Sequence, residues 1–259
     1  MSYLDDLFNL KEKVIVIFGG GGHICSKLAE GFLLAGSKVV LLDIRKKNLD
    51  NVSRKIKKLG NFDYLCLKID STKKNDHSKA LKKILKKYNS IDVVVNGSGI
   101  NSSLDFFKIN EKEWNEVIKS QLNSTFFSCQ VFGQYMIKNK KGSIINISSA
   151  SSGPPLSKAF AYSASKSAIK NLTQNLAREF AQYNVRVNAL RPGFFPTKWN
   201  LKNFIDKQRR SKIFNHTPMN RFGKTQELIG AVLWLASDSS NFVTGAEIPV
   251  DGGFTAMTI

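Results

Sequence analysis

Seven short apolar runs rich in β-branched residues recur along this chain of 259 residues: KVIVIF (13–18), KVVLLD (38–43), FDYLCLKID (62–70), IDVVVNG (91–97), GSIINIS (142–148), VRVNAL (185–190) and AEIPV (246–250). Between them, stretches at about 23–36, 46–59, 73–88, 111–139, 158–183 and 225–236 carry apolar residues at helical spacing. A strand with one wet face alternates apolar and polar residues, whereas a continuous apolar run is buried on both faces. Strands of that kind separated by helices describe a parallel sheet covered by helices on either side.

The order predicts an α/β chain with a doubly wound, Rossmann-type sheet of seven mostly parallel strands. No linker, repeat or low-complexity segment divides it, so residues 1–259 read as a single domain, and 42% hydrophobic content suffices for its core. One long connection, PGFFPTKWNLKNFIDKQRRSKIFNHTPMNRF (192–222), follows the sixth strand. Ligands of open α/β sheets bind beyond the carboxyl ends of strands, so this segment is expected to be a substrate lid.

No stretch reaches the roughly 20 uninterrupted apolar residues of a membrane span, because GFLLAGSKVVLLD is broken by Gly36, Ser37 and Lys38. The start, MSYLDDLFNLKEK, lacks the apolar segment of a secretory signal, which makes the cytoplasm the expected location and a membrane partner unexpected. Cys25, Cys66 and Cys129 lie far apart with no metal-site spacing, so they are expected as small buried hydrophobes and no metal is expected. The net charge of +19 raises anionic partners. In STKKNDHSKALKKILKKYN (71–89), however, Ala80, Leu81, Ile84, Leu85 and Tyr88 repeat at helical spacing, leaving Lys79, Lys82, Lys83, Lys86 and Lys87 on a solvated face. Without aromatic stacking positions or a reader module, that pattern weighs against specific nucleic-acid binding.

FGGGGHICSKLAE (18–30) follows the first strand and opens a helix, with Asp43 about 20 residues on at the end of the second strand. A glycine-rich turn there permits close approach to a pyrophosphate held at the positive end of the helix. Further along, Tyr162 and Lys166 lie one helical turn apart, and Ser149 precedes the tyrosine by thirteen residues at the end of the fifth strand. Reducing a carbonyl by hydride creates an alkoxide that must be protonated, and oxidising an alcohol needs the same proton removed. A phenol beside an ammonium is a group for that task, because the positive charge favours phenolate.

On these residues the chain resembles the short-chain dehydrogenase/reductase family, whose loop reads Thr-Gly-x-x-x-Gly-x-Gly. Aligned on Gly19, the threonine becomes Phe18 and the later glycines become His23 and Cys25. Gly20, Gly21 and Gly22 are expected to restore backbone freedom just upstream, Cys25 to fit between helix and strand, and His23 to turn outward. The resemblance implies dinucleotide contacts from Gly19, Gly22, His23 and Ile24, from Asp43 to the adenosine ribose, from Asp70 and Ser71 near adenine, and from Asn96-Gly97, which stands in the family's Asn-Asn-Ala-Gly segment. Pro192, Gly193, Phe195 and Thr197 match its Pro-Gly-x-x-x-Thr around the nicotinamide. A carboxylate at Asp43 would repel a 2′-phosphate, so NAD(H) is expected over NADP(H), with Arg45 and Lys46 softening the exclusion.

The same resemblance implies that Tyr162 is the general acid/base, that Lys166 lowers its pKa and holds the nicotinamide ribose, and that Ser149 hydrogen-bonds the substrate oxygen. Gln121 stands where the family has an asparagine in the proton relay. His216 reads as a lid or surface histidine. Within the family, the segments PGFFPT and HTPMNRFG look most like the D-mannonate oxidoreductase and sugar-acid dehydrogenase branch, which implies alcohol/ketone interconversion on a sugar acid or related polyol. Lys198, Lys202, Lys207, Arg209 and Arg210 suit an anionic small-molecule substrate and equally suit a face turned to water. A 3-oxoacyl-[acyl-carrier-protein] reductase and a non-catalytic dinucleotide-binding sensor remain alternatives. The family also implies a homotetramer or dimer through the helices at about 111–139 and 158–183, where Phe126, Phe127, Val131, Phe132, Ala168, Ile169, Leu172 and Leu176 line up; packing within the chain accounts for many of them equally well.

Overall fold

The computed structural model describes residues 3–257 apart from Phe204 and the side chains at positions 198, 199 and 203. Its elements in chain order are α1 (Tyr3–Leu7), β1 (Val14–Phe18), α2 (His23–Leu34), β2 (Lys38–Asp43), α3 (Lys46–Leu59), β3 (Tyr64–Lys68), α4 (Lys74–Tyr88) and β4 (Val93–Asn96). They continue with α5 (Glu111–Ile118), α6 (Ser124–Lys138), β5 (Gly142–Ile147), α7 (Phe160–Phe180), β6 (Val185–Pro192), α8 (Lys198–Asn203), α9 (Lys207–Asn215), α10 (Ile229–Ala236) and β7 (Glu247–Val250). The seven strands form one sheet in the order β3-β2-β1-β4-β5-β6-β7. Every pairing is parallel; Ile17, for example, lies opposite Leu41 on one side and Val95 on the other.

Each strand feeds two cores because successive side chains point to opposite faces. Ile15, Ile17, Val39 and Leu41 join Leu28 and Phe32 of α2, Leu49 and Ile56 of α3 and Val232 and Leu235 of α10. Val14, Val16, Phe18, Val40 and Leu42 join Ile84 of α4, Phe132 and Met136 of α6 and Ala177 of α7. Phe32 and Phe132, both at 0% exposure, each contribute on the order of 2–3 kcal/mol by leaving water.

Three local departures from the sequence expectation matter for the site. The helix expected over 111–139 is interrupted by a π-turn at Lys119–Asn123. There the hydroxyls of Ser120, Ser124 and Thr125 donate to the carbonyls of Val117, Ser120 and Gln121, supplying partners where the α-helical ladder is broken. The connection 192–222, outside the stretches expected to be helical, contains the short helices α8 and α9. The stretch 225–236 starts as a 3-10 turn, Thr225–Leu228, before α10. Among the described residues no helix is long and apolar enough to cross a membrane.

Candidate active site

The strand order reverses direction at β1 and β4, which makes the gap beyond their carboxyl ends the point where a doubly wound sheet takes its ligand. The glycine run lies there. Gly19 has φ +71°, and a Cβ on it would stand 2.7 Å from the Gly97 carbonyl oxygen. Backbone freedom is used only at Gly19, which corrects the expectation for the next three, none of which has a positive φ. They are needed for room: a Cβ on Gly20 would sit 2.7 Å from Leu41 Cδ2, and one on Gly21 2.5 Å from Asn48 Cβ. Gly22 caps α2 without a side chain, so no side chain occupies the first-turn N–H groups of this twelve-residue helix.

His23 is exposed, as expected, and Ile24 half-buried in the same turn. Burial and the charge of Lys55 hold the His23 imidazole below its usual pKa. Cys25 is buried, and a Cβ on Gly97 would overlap its Sγ. Where the family pattern has glycine on the helix and asparagine after β4, this chain has cysteine and glycine, so bulk removed from one wall reappears on the other. Burial pushes the Cys25 thiol up to about 12, leaving it an uncharged packing group.

Beyond β2, Asp43 accepts hydrogen bonds from the backbone N–H of Gly21 (3.1 Å) and of Arg45 (2.8 Å), which aims its carboxylate along the edge of the glycine turn. Beyond β3, burial raises the Asp70 carboxyl, but hydrogen bonds from the N–H and hydroxyl of Thr72 more than offset that and leave it below the usual range. The Ser71 carbonyl meets His77 Nε2 at 2.8 Å, and the His77 ring stacks on Phe18 at 4.8 Å. Sequence reasoning missed His77; its signals were the aromatic Phe18 in place of a small hydroxyl residue and its place on the buried stripe His77, Ala80, Ile84 of α4. The Asn96 side chain does not line the gap: it is buried and donates to Asn146 at 2.8 Å, which in turn donates to Thr173 of α7. An uncapped helix start, a glycine cradle that a Cβ would fill and a carboxylate at the end of β2 together fit a dinucleotide.

At the carboxyl end of β5, Ser149 is held by the N–H and hydroxyl of Ser151, both donating to its Oγ at 3.2 Å. Tyr162 and Lys166 come from α7, whose stripe Ala161, Ser165, Ile169, Thr173 and Ala177 faces the core. The Lys166 ammonium is buried, donates to the Ile147 carbonyl at 2.6 Å and lies 5.5 Å from the centre of the Tyr162 ring. Burial lowers its pKa to about 8, with neighbouring Cys25 opposing. Burial raises the Tyr162 phenol, and the Ser149 hydrogen bond opposes that rise. In the free chain the two influences on the phenol are burial and Ser149, while the Lys166 ammonium is committed to the Ile147 carbonyl.

Gln121 stands apart from these three. The π-turn lays its amide over Gly99, and its Nε2 donates to the Ile100 carbonyl at 2.8 Å while its Oε1 has no partner. A second feature missed from sequence lies behind Ser149. Glu247 of β7 accepts hydrogen bonds from Ser148 (2.6 Å), Ser152 (2.7 Å) and Arg191 (3.1 Å), so one half-buried carboxylate braces both sides of the serine. Arg191, a cation on an inner strand just before Pro192-Gly193, was the only signal for it.

Across the gap, Gly193 donates to the Val250 carbonyl at 3.0 Å beyond Pro192, and a Cβ on it would lie 2.7 Å from Asp251 Cα. The Phe195 ring covers Gly223. Thr197 precedes α8, its hydroxyl donating to Asn200 Oδ1 at 2.6 Å and accepting from the Asn200 N–H at 3.0 Å. His216 packs edge-on against Phe254 at 4.8 Å, outside the cleft. Ser149, Tyr162, Phe195 and Asn200, together with Asn101 and Ser103, border a cavity of ≈ 440 Å³.

Comparison with known proteins covers nearly the whole chain. The model of a family described as Enoyl-(Acyl carrier protein) reductase matches residues 22–255. The 3-oxoacyl-[acyl-carrier-protein] reductase FabG of Thermotoga maritima is 35% identical over 245 residues, 94% of this chain and 98% of the relative. The 5-keto-D-gluconate 5-reductase of Escherichia coli is 34% identical over 250 residues, 96% and 98%. Among solved structures, a gluconate 5-dehydrogenase from Burkholderia cenocepacia in complex with NADP and tartrate aligns with TM-score 0.92 at 29% identity, over 99% of this chain and 100% of that one.

Proposed function

We propose, for a chain that belongs to the short-chain dehydrogenase/reductase family and is an NAD(P)-dependent oxidoreductase of CH–OH groups, that the substrate is a sugar acid or related polyol and that Tyr162 moves the proton. The reading rests on one observation: Ser149 and Tyr162 border a cavity in which Asn101, Ser102, Ser103 and Asn200 add hydroxyls and amides, suited to a polyhydroxylated ligand, to apolar walls that include Leu156, Phe194, Phe195 and Ile205.

When bound, a nicotinamide dinucleotide carries the hydride. The first turn of α2 and the glycine cradle would hold its pyrophosphate. Asp43 would accept from the ribose hydroxyls and disfavour a 2′-phosphate, so NAD(H) is the preferred form. Ser149 donates to the substrate oxygen and orients it. Tyr162 gives that oxygen a proton in reduction and takes it in oxidation. Lys166, released from Ile147, would reach the nicotinamide ribose and draw the phenol's pKa down as its ammonium turns towards the hydroxyl. Gln121 acts at a distance by holding Ile100. Residues 192–222 act as the lid, with Asn200, Ile205 and Arg209 on its inner side. Pairing of two or four copies through α6 and α7 would cover Phe126, Leu172 and Leu176.

A second reading, reduction of a 3-oxoacyl thioester, is favoured by the apolar rim beside the cavity, where Phe106 (57% exposed) and Phe107 (97%) pack near Phe160. An absorbance screen of hexonates, polyols and 3-oxoacyl thioesters with each nucleotide, oxidised and reduced, separates the two. Turnover of a hexonate with NAD(H) ahead of NADP(H) is the expected result; turnover of thioesters alone overturns the substrate reading.

A further inference from the structure

Five of the seven cations of the lid segment were singled out in sequence without distinction, and tertiary structure separates them. Lys202, Lys207 and Arg210 are exposed, and the Arg210 guanidinium lies over Phe214 (5.0 Å) and Phe222 (5.9 Å). The Lys198 side chain is outside the described residues. Arg209 is half-buried and borders the same cavity as Ser149 and Tyr162. It is turned inward by the start of α9, where Asp206 caps the helix by accepting from the Arg209 N–H at 2.7 Å.

Arg209 differs from the other cations near the cleft in what it lacks. Lys158, also on the cavity wall, is paired with Asp105 at 3.1 Å. Arg191 is paired with Glu247 at 3.1 Å, and Arg221 with Glu227 at 2.6 Å. Among the described residues no carboxylate pairs with Arg209; its guanidinium makes one bond, from Nη2 to the Ser157 carbonyl at 3.3 Å. A guanidinium has five N–H groups in a planar fork that matches a carboxylate. Among the described residues four of them find no partner, and partial burial without a counter-charge is a cost that an anion in the cavity would offset.

We infer that Arg209 is the specificity residue that binds the carboxylate of the substrate, which rests on the sugar-acid reading above and assigns it a recognition site. The lid then closes on the substrate through an ion pair, and the neutral sugar alcohol of the same carbon skeleton is discriminated against at this one position.

Steady-state kinetics on the full chain with D-gluconate against D-glucitol, which differ only at the carboxyl carbon, test it. Each is measured as kcat/KM or, for a poor substrate, as an inhibition constant. Arg209→Ala is expected to lower kcat/KM for gluconate about 10- to 100-fold, mainly through KM, the range for a hydrogen bond to a charged group. Its effect on glucitol should stay under about 3-fold, with Arg209→Lys in between because a point charge replaces a bidentate fork. Nucleotide affinity and thermal midpoint should not move. Equal losses on both ligands, or no loss on gluconate, overturn the assignment alone. A wild-type chain that turns over gluconate and other hexonates with neither nucleotide overturns the sugar-acid reading and the assignment with it.

Discussion

The turn after β1 departs from the family pattern at Phe18, His23 and Cys25, whereas the corner after β5 keeps Ser149, Tyr162 and Lys166. The first is made of backbone: Gly19 alone uses a positive φ, the next glycines leave room for Leu41 and Asn48, and the Cys25 thiol fills the space Gly97 vacates. The second is made of side-chain atoms with defined partners, Ser149 on Ser151, Lys166 on Ile147 and the flanking serines on Glu247. A site that offers N–H groups and a helix end tolerates exchange of residues as long as the walls stay close. A proton-transfer site does not, since the reacting atom belongs to one side chain.

The contrast is sharpest at Tyr162. Tyr162→Phe removes the proton donor and leaves the glycine turn untouched, so turnover should fall by about 10²- to 10⁴-fold while nucleotide binding, followed by fluorescence titration, is retained. Comparable loss of both would mean that the two regions are not separable.

A smaller effect is expected on the opposite side. Gly97→Ala places a methyl against the Cys25 thiol and should cost about 1–3 kcal/mol of unfolding free energy by urea titration. In a Cys25→Ala background most of that loss should disappear, giving a coupling energy of at least about 1 kcal/mol in the double-mutant cycle. Equal cost in both backgrounds would show that bulk has not been exchanged between the two walls.

Lys166 lies near both regions, within electrostatic reach of Cys25 and 5.5 Å from the centre of the Tyr162 ring. A buried amine with a lowered pKa binds fewer protons folded than unfolded, so its penalty is complete below about 8 and is relieved as pH climbs towards 10.5. The free wild-type chain should therefore gain stability relative to Lys166→Met across that window, by on the order of 3 kcal/mol. A flat difference between the two would place the ammonium in water and detach it from the loop.

The inner strands were legible because their centres are apolar runs such as VIVIF, VVLL and VVV, a local pattern that burial on both faces dictates, and the half-buried edge strands β3 and β7 because they recur in the same alternation with helices. The boundaries of β2 and α3 agree with the expected ones residue for residue. Ser149, Tyr162 and Lys166 were legible for a similar reason, since strand end and helix start fix their spacing along the chain. The π-turn was not, because the contact made there, the Gln121 amide over Gly99, joins residues some 20 positions apart. Nor was the Glu247 brace, whose partners Ser148 and Ser152 lie 99 and 95 residues from it.

Local order in the chain was enough to specify a parallel sheet, its helices and the three groups at the proton-transfer corner, because periodicity and short spacings are properties of neighbouring residues. Folding alone decided which glycine takes the left-handed turn, which carboxylate steadies the serine and which of several equivalent cations faces the cleft. Those outcomes depend on van der Waals contact and charge pairing between segments distant in sequence, and such contacts exist only once the chain has packed.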